Sequence, residues 1–235
     1  MKKAAVIGYP IDHSWSPDIH SFWLKGNEIN AEYKKIKVEP EELKSFILSA
    51  SSAGYSGLNI TVPFKERACE VCDELSDIAK KLGAVNLITF RDGKIYGDNT
   101  DGEGFISSVL NKLPNLSFEN NSFAILGAGG AAKSIAHALL DHKAKKIIII
   151  NRDLAKAKKL SEKIGQKALA YSLTDIKKGL AQATFLINAT SLGMTGGPPS
   201  TKIGFGVFPS ILCFVDIVYN PGVTRLMQEA SLSGI

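Results

Sequence analysis

FAILGAGGAA, residues Phe123 to Ala132, is an apolar run of strand length that breaks into glycines and continues as a helical pattern to about His142. The spacing Gly127-x-Gly129-x-x-Ala132 suits a strand turning directly into a helix. Gly127 permits the tight turn, and Gly129 lets the backbone approach a pyrophosphate at the helix N-terminus. A plain strand–helix turn could use the same glycines for packing alone. Here a second strand, Lys146–Ile150, follows the helix, and that complete strand–turn–helix–strand order points to dinucleotide binding.

The second strand ends at Asn151-Arg152-Asp153, with Lys156 one helical turn further on. An acidic residue at this place holds the adenosine ribose of NAD, whereas an arginine accommodates the 2′-phosphate of NADP. Arg152 and Lys156 favour NADP, and Asp153 keeps NAD open. A lysine-rich helix runs on to Ile164, followed by strands at Lys167–Tyr171, Thr184–Asn188 and Cys213–Val218. Upstream, strands are expected at Lys3–Ile7, Glu32–Val38, Gly57–Val62, Ala84–Phe90 and Gly93–Tyr96. Helices are expected at Pro17–Lys25 with Ser16 as N-cap, at Pro40–Ala53, from Pro63 to about Leu82, and at Gly102–Leu113. Alternating β and α elements imply parallel sheets covered on both faces. Both halves therefore read as α/β, with the boundary near Asp101: residues 1–101 form one domain, and 102–235 a doubly wound Rossmann-type domain.

The 235 residues are 45% hydrophobic and 22% charged, which suits one large or two modest cores and excludes a disordered chain. No apolar stretch approaches the ~18 residues of a membrane span, and the N-terminal apolar segment is too short for a signal peptide. The chain reads as cytoplasmic. Three cysteines cannot build a disulfide framework, and Cys69-x-x-Cys72 has no second ligand pair for zinc. The four histidines form no metal motif. A net charge of +5 from scattered lysines lacks the contiguous basic face of a nucleic-acid binder, though it suits anionic small molecules. No coiled coil or interface stripe stands out, which leaves a monomer or homodimer.

The first half carries different chemistry. Ser14-Trp15-Ser16-Pro17 presents two hydroxyls beside a helix N-terminus, a fitting cradle for a carboxylate. Asn59, Thr61 and Lys65 follow the third strand, Asn86 ends a Gly-Ala-Val-Asn run, and Asn99-Thr100-Asp101 lies at the boundary. Each alone is an ordinary turn or surface residue. Together, GYPIDHSWSPDIH, NITVPFK, GAVN, GDNTDGEG, GAGGAAKS, NR, NATSLGM and DIVYNP occur in order along nearly the whole chain. This combination resembles the shikimate dehydrogenase family, with NITVPFK and the NTD segment the most specific parts.

The resemblance implies NADP-linked reduction of 3-dehydroshikimate to shikimate, on the route to chorismate and the aromatic amino acids. It also implies a substrate-binding catalytic domain and a nucleotide-binding Rossmann domain. By motif, Lys65 and Asp101 match the catalytic pair. A ketone accepting hydride needs a proton for its developing alkoxide, which a lysine beside a carboxylate can supply. Ser14 and Ser16 match the positions that hold the substrate carboxylate. Asn59, Thr61, Asn86, Asp101 and Tyr219 match those around the ring and its hydroxyls. Gly127, Ala128, Gly129, Gly130 and Ala131, with Asn151, Arg152, Asp153 and Lys156, match the nucleotide positions. Thr190, Ser191 and Ile217 match the wall near the nicotinamide, and Asp77 matches a further cofactor position.

Three departures from the family pattern bear on these expectations. Leu87 replaces the threonine usual after GAVN, and Asp153 stands where NADP-specific members commonly carry a small hydroxyl residue. The pattern also continues, beyond a helix like Thr224–Ser233, into a segment with a substrate-binding glutamine, whereas this sequence stops at Ile235. The expectation is a chain that keeps its nucleotide site and binds shikimate weakly. The competing readings are a quinate/shikimate dehydrogenase that accepts NAD and a nucleotide-binding homologue without turnover.

Overall fold

The computed structural model describes residues 1–12 and 14–235; His13 of the GYPIDHSWSPDIH motif lies outside the described residues. Contacts within the chain separate it into two compact units, Met1–Thr100 and Asp101–Ile235.

In the first unit, β1 (Lys2–Gly8), α1 (Ser16–Gly26), β2 (Ala31–Lys37), α2 (Leu43–Ala50) and β3 (Tyr55–Ile60) come first. They are followed by α3 (Lys65–Ala68), β4 (Glu74–Leu75), α4 (Asp77–Leu82), β5 (Leu87–Arg91) and β6 (Lys94–Asp98). The sheet order is β2-β1-β3-β5-β6-β4. Strand β1 lies parallel to β2 and β3, but β5 runs antiparallel to both β3 and β6. The expected parallel sheet is therefore mixed in this half. The reason is local: Asp92 and Gly93 both have positive φ (51° and 71°), between the paired residues Arg91 and Lys94. That two-residue Asp-Gly turn closes a tight hairpin, which forces antiparallel pairing.

The long helix expected up to Leu82 is also interrupted. Asp73 exchanges bonds with Ile95, its N–H donating to the Ile95 carbonyl (2.9 Å) and its Oδ2 accepting from the Ile95 N–H (2.8 Å). This draws the chain onto the edge of β6 as β4. Helix α4 then starts afresh from Ser76, whose hydroxyl accepts from the Ala79 N–H (3.2 Å). The Cys69–Cys72 pair falls in the break. A Cβ on Gly97 would stand 2.7 Å from Cys72 Sγ, so this sulfur packs directly on the β6 backbone. Burial pushes the Cys72 thiol up to about 12 and raises Cys69 as well, leaving both as protonated core thiols.

The second unit holds α5 (Asp101–Lys112), β7 (Ser122–Leu126), α6 (Gly130–Asp141), β8 (Lys146–Asn151) and α7 (Leu154–Ile164). It continues with β9 (Ala168–Ser172), α8 (Ile176–Leu180), β10 (Phe185–Asn188), β11 (Cys213–Asp216) and α9 (Arg225–Leu232). The five strands pair in the order β11-β10-β7-β8-β9, and every pairing is parallel. Alternate residues build two cores. Phe123, Ile125, Ile147 and Ile149 pack with Ile135, Leu139 and Leu160 of α6 and α7. Ala124, Leu126, Ile148 and Ile150 pack on the other face with Leu180 and Leu226 of α8 and α9. Because both faces are covered, strands β7, β8 and β10 are continuous apolar runs. The strand order reverses between β7 and β10, and the carboxyl ends of such a pair open the crevice where doubly wound sheets bind ligands.

Candidate active site

In the first unit, polar side chains gather where β1, β3 and β6 end and β5 begins. Helix α1 begins at Ser16 itself, with Trp15 as its cap and no side-chain cap bond, so Ser16 is not the N-cap expected from sequence. Instead Ser14, which is buried, accepts the Ser16 N–H at Oγ (3.3 Å) and donates to Ser16 Oγ (3.2 Å). The Tyr33 hydroxyl donates to Asn59 Oδ1 (2.7 Å). His20 stacks flat on the Tyr33 ring, with centroids 3.9 Å apart. Burial raises the Tyr33 phenol and lowers the His20 imidazole, so both stay neutral near pH 7.

Asn86 holds the other side of the cluster. Its carbonyl accepts the Ile60 N–H (2.8 Å), and its own N–H donates to Asp98 (3.0 Å). Its side chain clasps Thr100: Oδ1 accepts the Thr100 N–H (2.9 Å), and Nδ2 donates to Thr100 Oγ1 (3.1 Å). Asn59 Nδ2 reaches the Asn86 carbonyl at 3.5 Å. The Thr61 N–H donates to Ile7 (3.0 Å), and the Thr61 carbonyl accepts from Phe64 (2.9 Å), making the turn that leads into Lys65. Phe64 is fully buried, and the Val85 N–H donates to the Lys65 carbonyl (2.8 Å), so the backbone carrying this lysine is held on both sides. Tyr33, Asn59, Asn86 and Thr100 thus belong to one network, Ser14 and Ser16 pair with each other, and Thr61 and Lys65 lie on the turn leaving β3. Asp77 takes no part in it: its carboxylate is exposed, 3.8 Å from Lys80 Nζ.

The second unit carries the glycine turn. Gly127 has φ +114°, and a Cβ there would stand 2.9 Å from the Ala189 carbonyl oxygen, so both backbone conformation and space demand glycine. Its N–H donates to Ile150 (2.8 Å), fixing the turn beside β8. Ala128 packs against the core, while Gly129 and Gly130 have nothing within 4 Å of where a side chain would begin. Helix α6 opens at Gly130, ahead of Ala131, without a side-chain cap. Open space at a glycine-lined helix N-terminus with uncapped donors fits a dinucleotide pyrophosphate.

Beyond β8, Asn151 Nδ2 donates to the Asp153 carbonyl (3.0 Å). Asp153 is the N-cap of α7: its Oδ1 accepts from the N–H groups of Ala155 (3.0 Å) and Lys156 (3.3 Å). Arg152 and Lys156 are exposed, and among the described residues no carboxylate pairs with either. Replacing Asp153 by alanine is expected to lower stability by about 1 kcal/mol in denaturant titration, with asparagine or serine close to the original protein.

Across the crevice, Thr190 donates to Asn188 Oδ1 through both its N–H (3.2 Å) and its hydroxyl (2.6 Å). The exposed Ser191 accepts the Met194 N–H (3.2 Å), and the Ile217 N–H donates to Asn188 (3.2 Å). Tyr219 stands exposed beyond β11, and Asp101 is the first residue of α5. Sequence reasoning did not single out Tyr33, Asn188, Asp216 or Thr224. Tyr33 left one signal, since a tyrosine at a buried strand position needs a partner for its hydroxyl.

Residues 6–88 match the family described as the shikimate dehydrogenase substrate binding domain, and residues 109–194 match shikimate / quinate 5-dehydrogenase. A shikimate dehydrogenase (NADP(+)) of Dinoroseobacter shibae is 39% identical over 232 residues, covering 98% of this chain and 83% of that protein. The shikimate 5-dehydrogenase of Listeria monocytogenes, solved with shikimate and NAD, superposes with TM-score 0.89 at 30% identity over 100% of this chain and 84% of its own. That of Thermus thermophilus, solved with NADP(H) and shikimate, gives 0.87 at 31% identity over 100% and 85%. With both units matched and the motif residues disposed as described, this chain belongs to the shikimate dehydrogenase family.

Proposed function

We propose that this protein catalyses the NADP-dependent, reversible reduction of 3-dehydroshikimate to shikimate. The observation that carries the reading is the 39% identity, over 98% of the chain, to a protein named shikimate dehydrogenase (NADP(+)). Residues 1–101 serve as the substrate-binding catalytic domain and 102–235 as the nucleotide-binding domain. Ser14 and Ser16, paired at the start of α1, receive the substrate carboxylate. Asn59, Thr61, Asn86 and Tyr219 bind the ring and its hydroxyls. Lys65 gives a proton to the ketone oxygen during reduction and takes it back in the reverse direction, with Asp101 as its acid–base partner. Bound NADPH supplies the hydride. The glycine turn at Gly127–Ala131 receives the pyrophosphate, Arg152 and Lys156 the 2′-phosphate, and Thr190, Ser191 and Ile217 line the nicotinamide end. The three free cysteines suit a reducing compartment, the cytoplasm.

The decisive test follows NADP+ reduction by near-ultraviolet absorbance with shikimate as substrate. Turnover that depends on both compounds is expected. Nucleotide binding without turnover would mark a homologue that has lost the activity. Quinate and NAD+ assayed in parallel report the alternative specificity, to which Asp153 is the residue that bears.

A further inference from the structure

The chains leaving β10 and β11 are joined by a single carboxylate. Asp216 Oδ1 accepts from Asn188 Nδ2 (2.9 Å) and from the Val218 N–H (3.0 Å), while Oδ2 accepts from the Thr224 hydroxyl (2.7 Å). Asn188 and Thr224 are completely buried. Asn188 in turn receives both Thr190 donors on its Oδ1 and the Ile217 N–H on its carbonyl. Thr224 accepts the Met227 N–H (3.2 Å), which caps α9. Thr190 and Ile217, on neighbouring strand ends, are thus both bonded to the residue that Asp216 holds. All three donors to Asp216 are neutral. A carboxylate accepts all three at once, whereas an amide that keeps its oxygen on Asn188 and Val218 presents NH2 to the Thr224 hydroxyl, which can then accept from it but no longer donate to it.

A doubly wound sheet binds the two halves of a dinucleotide on opposite sides of the strand-order reversal. Arg152 stands beyond β8, on one side of β7, whereas Thr190 and Ile217 stand beyond β10 and β11 on the other. We propose that Asp216 is a positioning residue for the nicotinamide half of the nucleotide, acting through Asn188 and Thr224 to fix Thr190 and Ile217. This rests on the dinucleotide reading of the second unit. The adenosine half, held beyond β8, does not depend on it.

The test compares two nucleotides on the full chain by titration calorimetry: NADP+, and adenosine 2′,5′-bisphosphate, which lacks the nicotinamide half. Asp216→Asn is expected to weaken NADP+ about three- to tenfold, with the bisphosphate within about twofold of the unsubstituted protein. In shikimate oxidation, kcat is expected to fall while KM for shikimate holds. Should Asp216→Asn fail to fold, Thr224 decides the matter. Thr224→Val removes the donor at nearly constant shape and is expected to reproduce the selective loss of NADP+ affinity, and Thr224→Ser, which keeps the donor, to restore it. Equal weakening of both nucleotides, or of neither, overturns the proposal. If the unsubstituted chain binds both nucleotides yet never oxidises shikimate, the activity reading fails and the titrations still decide the role of Asp216. A chain binding neither nucleotide overturns the dinucleotide reading itself.

Discussion

Lys65→Ala is expected to lower turnover about 10²–10⁴-fold, with a much smaller change in shikimate KM. Loss of a proton donor acts on the transition state, where the alkoxide forms, far more than on the bound ketone or alcohol. The structure makes the variant interpretable. The backbone at Lys65 is held by its carbonyl bond to Val85 and by the buried ring of Phe64, neither of which involves the lysine side chain. Truncation therefore leaves the turn in place. Lys65→Arg retains the positive charge but releases no proton near neutral pH, so it should stay close to the alanine variant. Steady-state kinetics of both variants, with NADP+ affinity as the control, check the assignment. Turnover like that of the unsubstituted protein in either variant would remove Lys65 from the acid–base role.

Arg152→Ala is expected to weaken NADP+ about ten- to a hundredfold while changing NAD+ little, as one charge-assisted contact to the 2′-phosphate is lost. Arg152 is exposed at the end of β8 and has no carboxylate partner among the described residues, so no internal ion pair competes for it. Asp153 is the complication. Its Oδ1 is engaged in capping α7, accepting two N–H groups, yet its negative charge remains beside any phosphate bound there. Asp153→Ser keeps a capping oxygen and removes that charge, so it should raise NADP+ affinity several-fold without loss of stability. Titrations of NADP+ and NAD+ against the three proteins settle the division of labour. Equal losses for both nucleotides in Arg152→Ala would place this arginine on the adenine or in the fold.

The second unit was legible from residues 123–151 because its signals are local. A parallel strand buried on both faces leaves an uninterrupted apolar run, as in Lys146–Ile150. A turn that needs positive φ and a close backbone approach accepts only glycine, as at Gly127. The first unit was less legible. Its hairpin depends on a two-residue turn at Asp92-Gly93, and its chain break at Asp73 depends on bonds to Ile95, 22 residues away. Hydrophobic spacing carries no trace of such a bond.

The site divides in the same way. Ser14, Ser16, Asn59, Asn86 and Lys65 stood out through motif composition, but their linkage did not. Asn86 clasps Thr100 from 14 residues away, and the Tyr33 hydroxyl reaches Asn59 across 26. Asn188, Asp216 and Thr224 were invisible as a group. Asparagine, aspartate and threonine are ordinary turn residues, and the bonds joining these three span 28 and 8 residues. Local propensity is a property of neighbours along the chain, and the sequence carries it openly. Which buried donor meets which buried acceptor is decided only when packing brings distant strand ends together and removes water as the alternative partner.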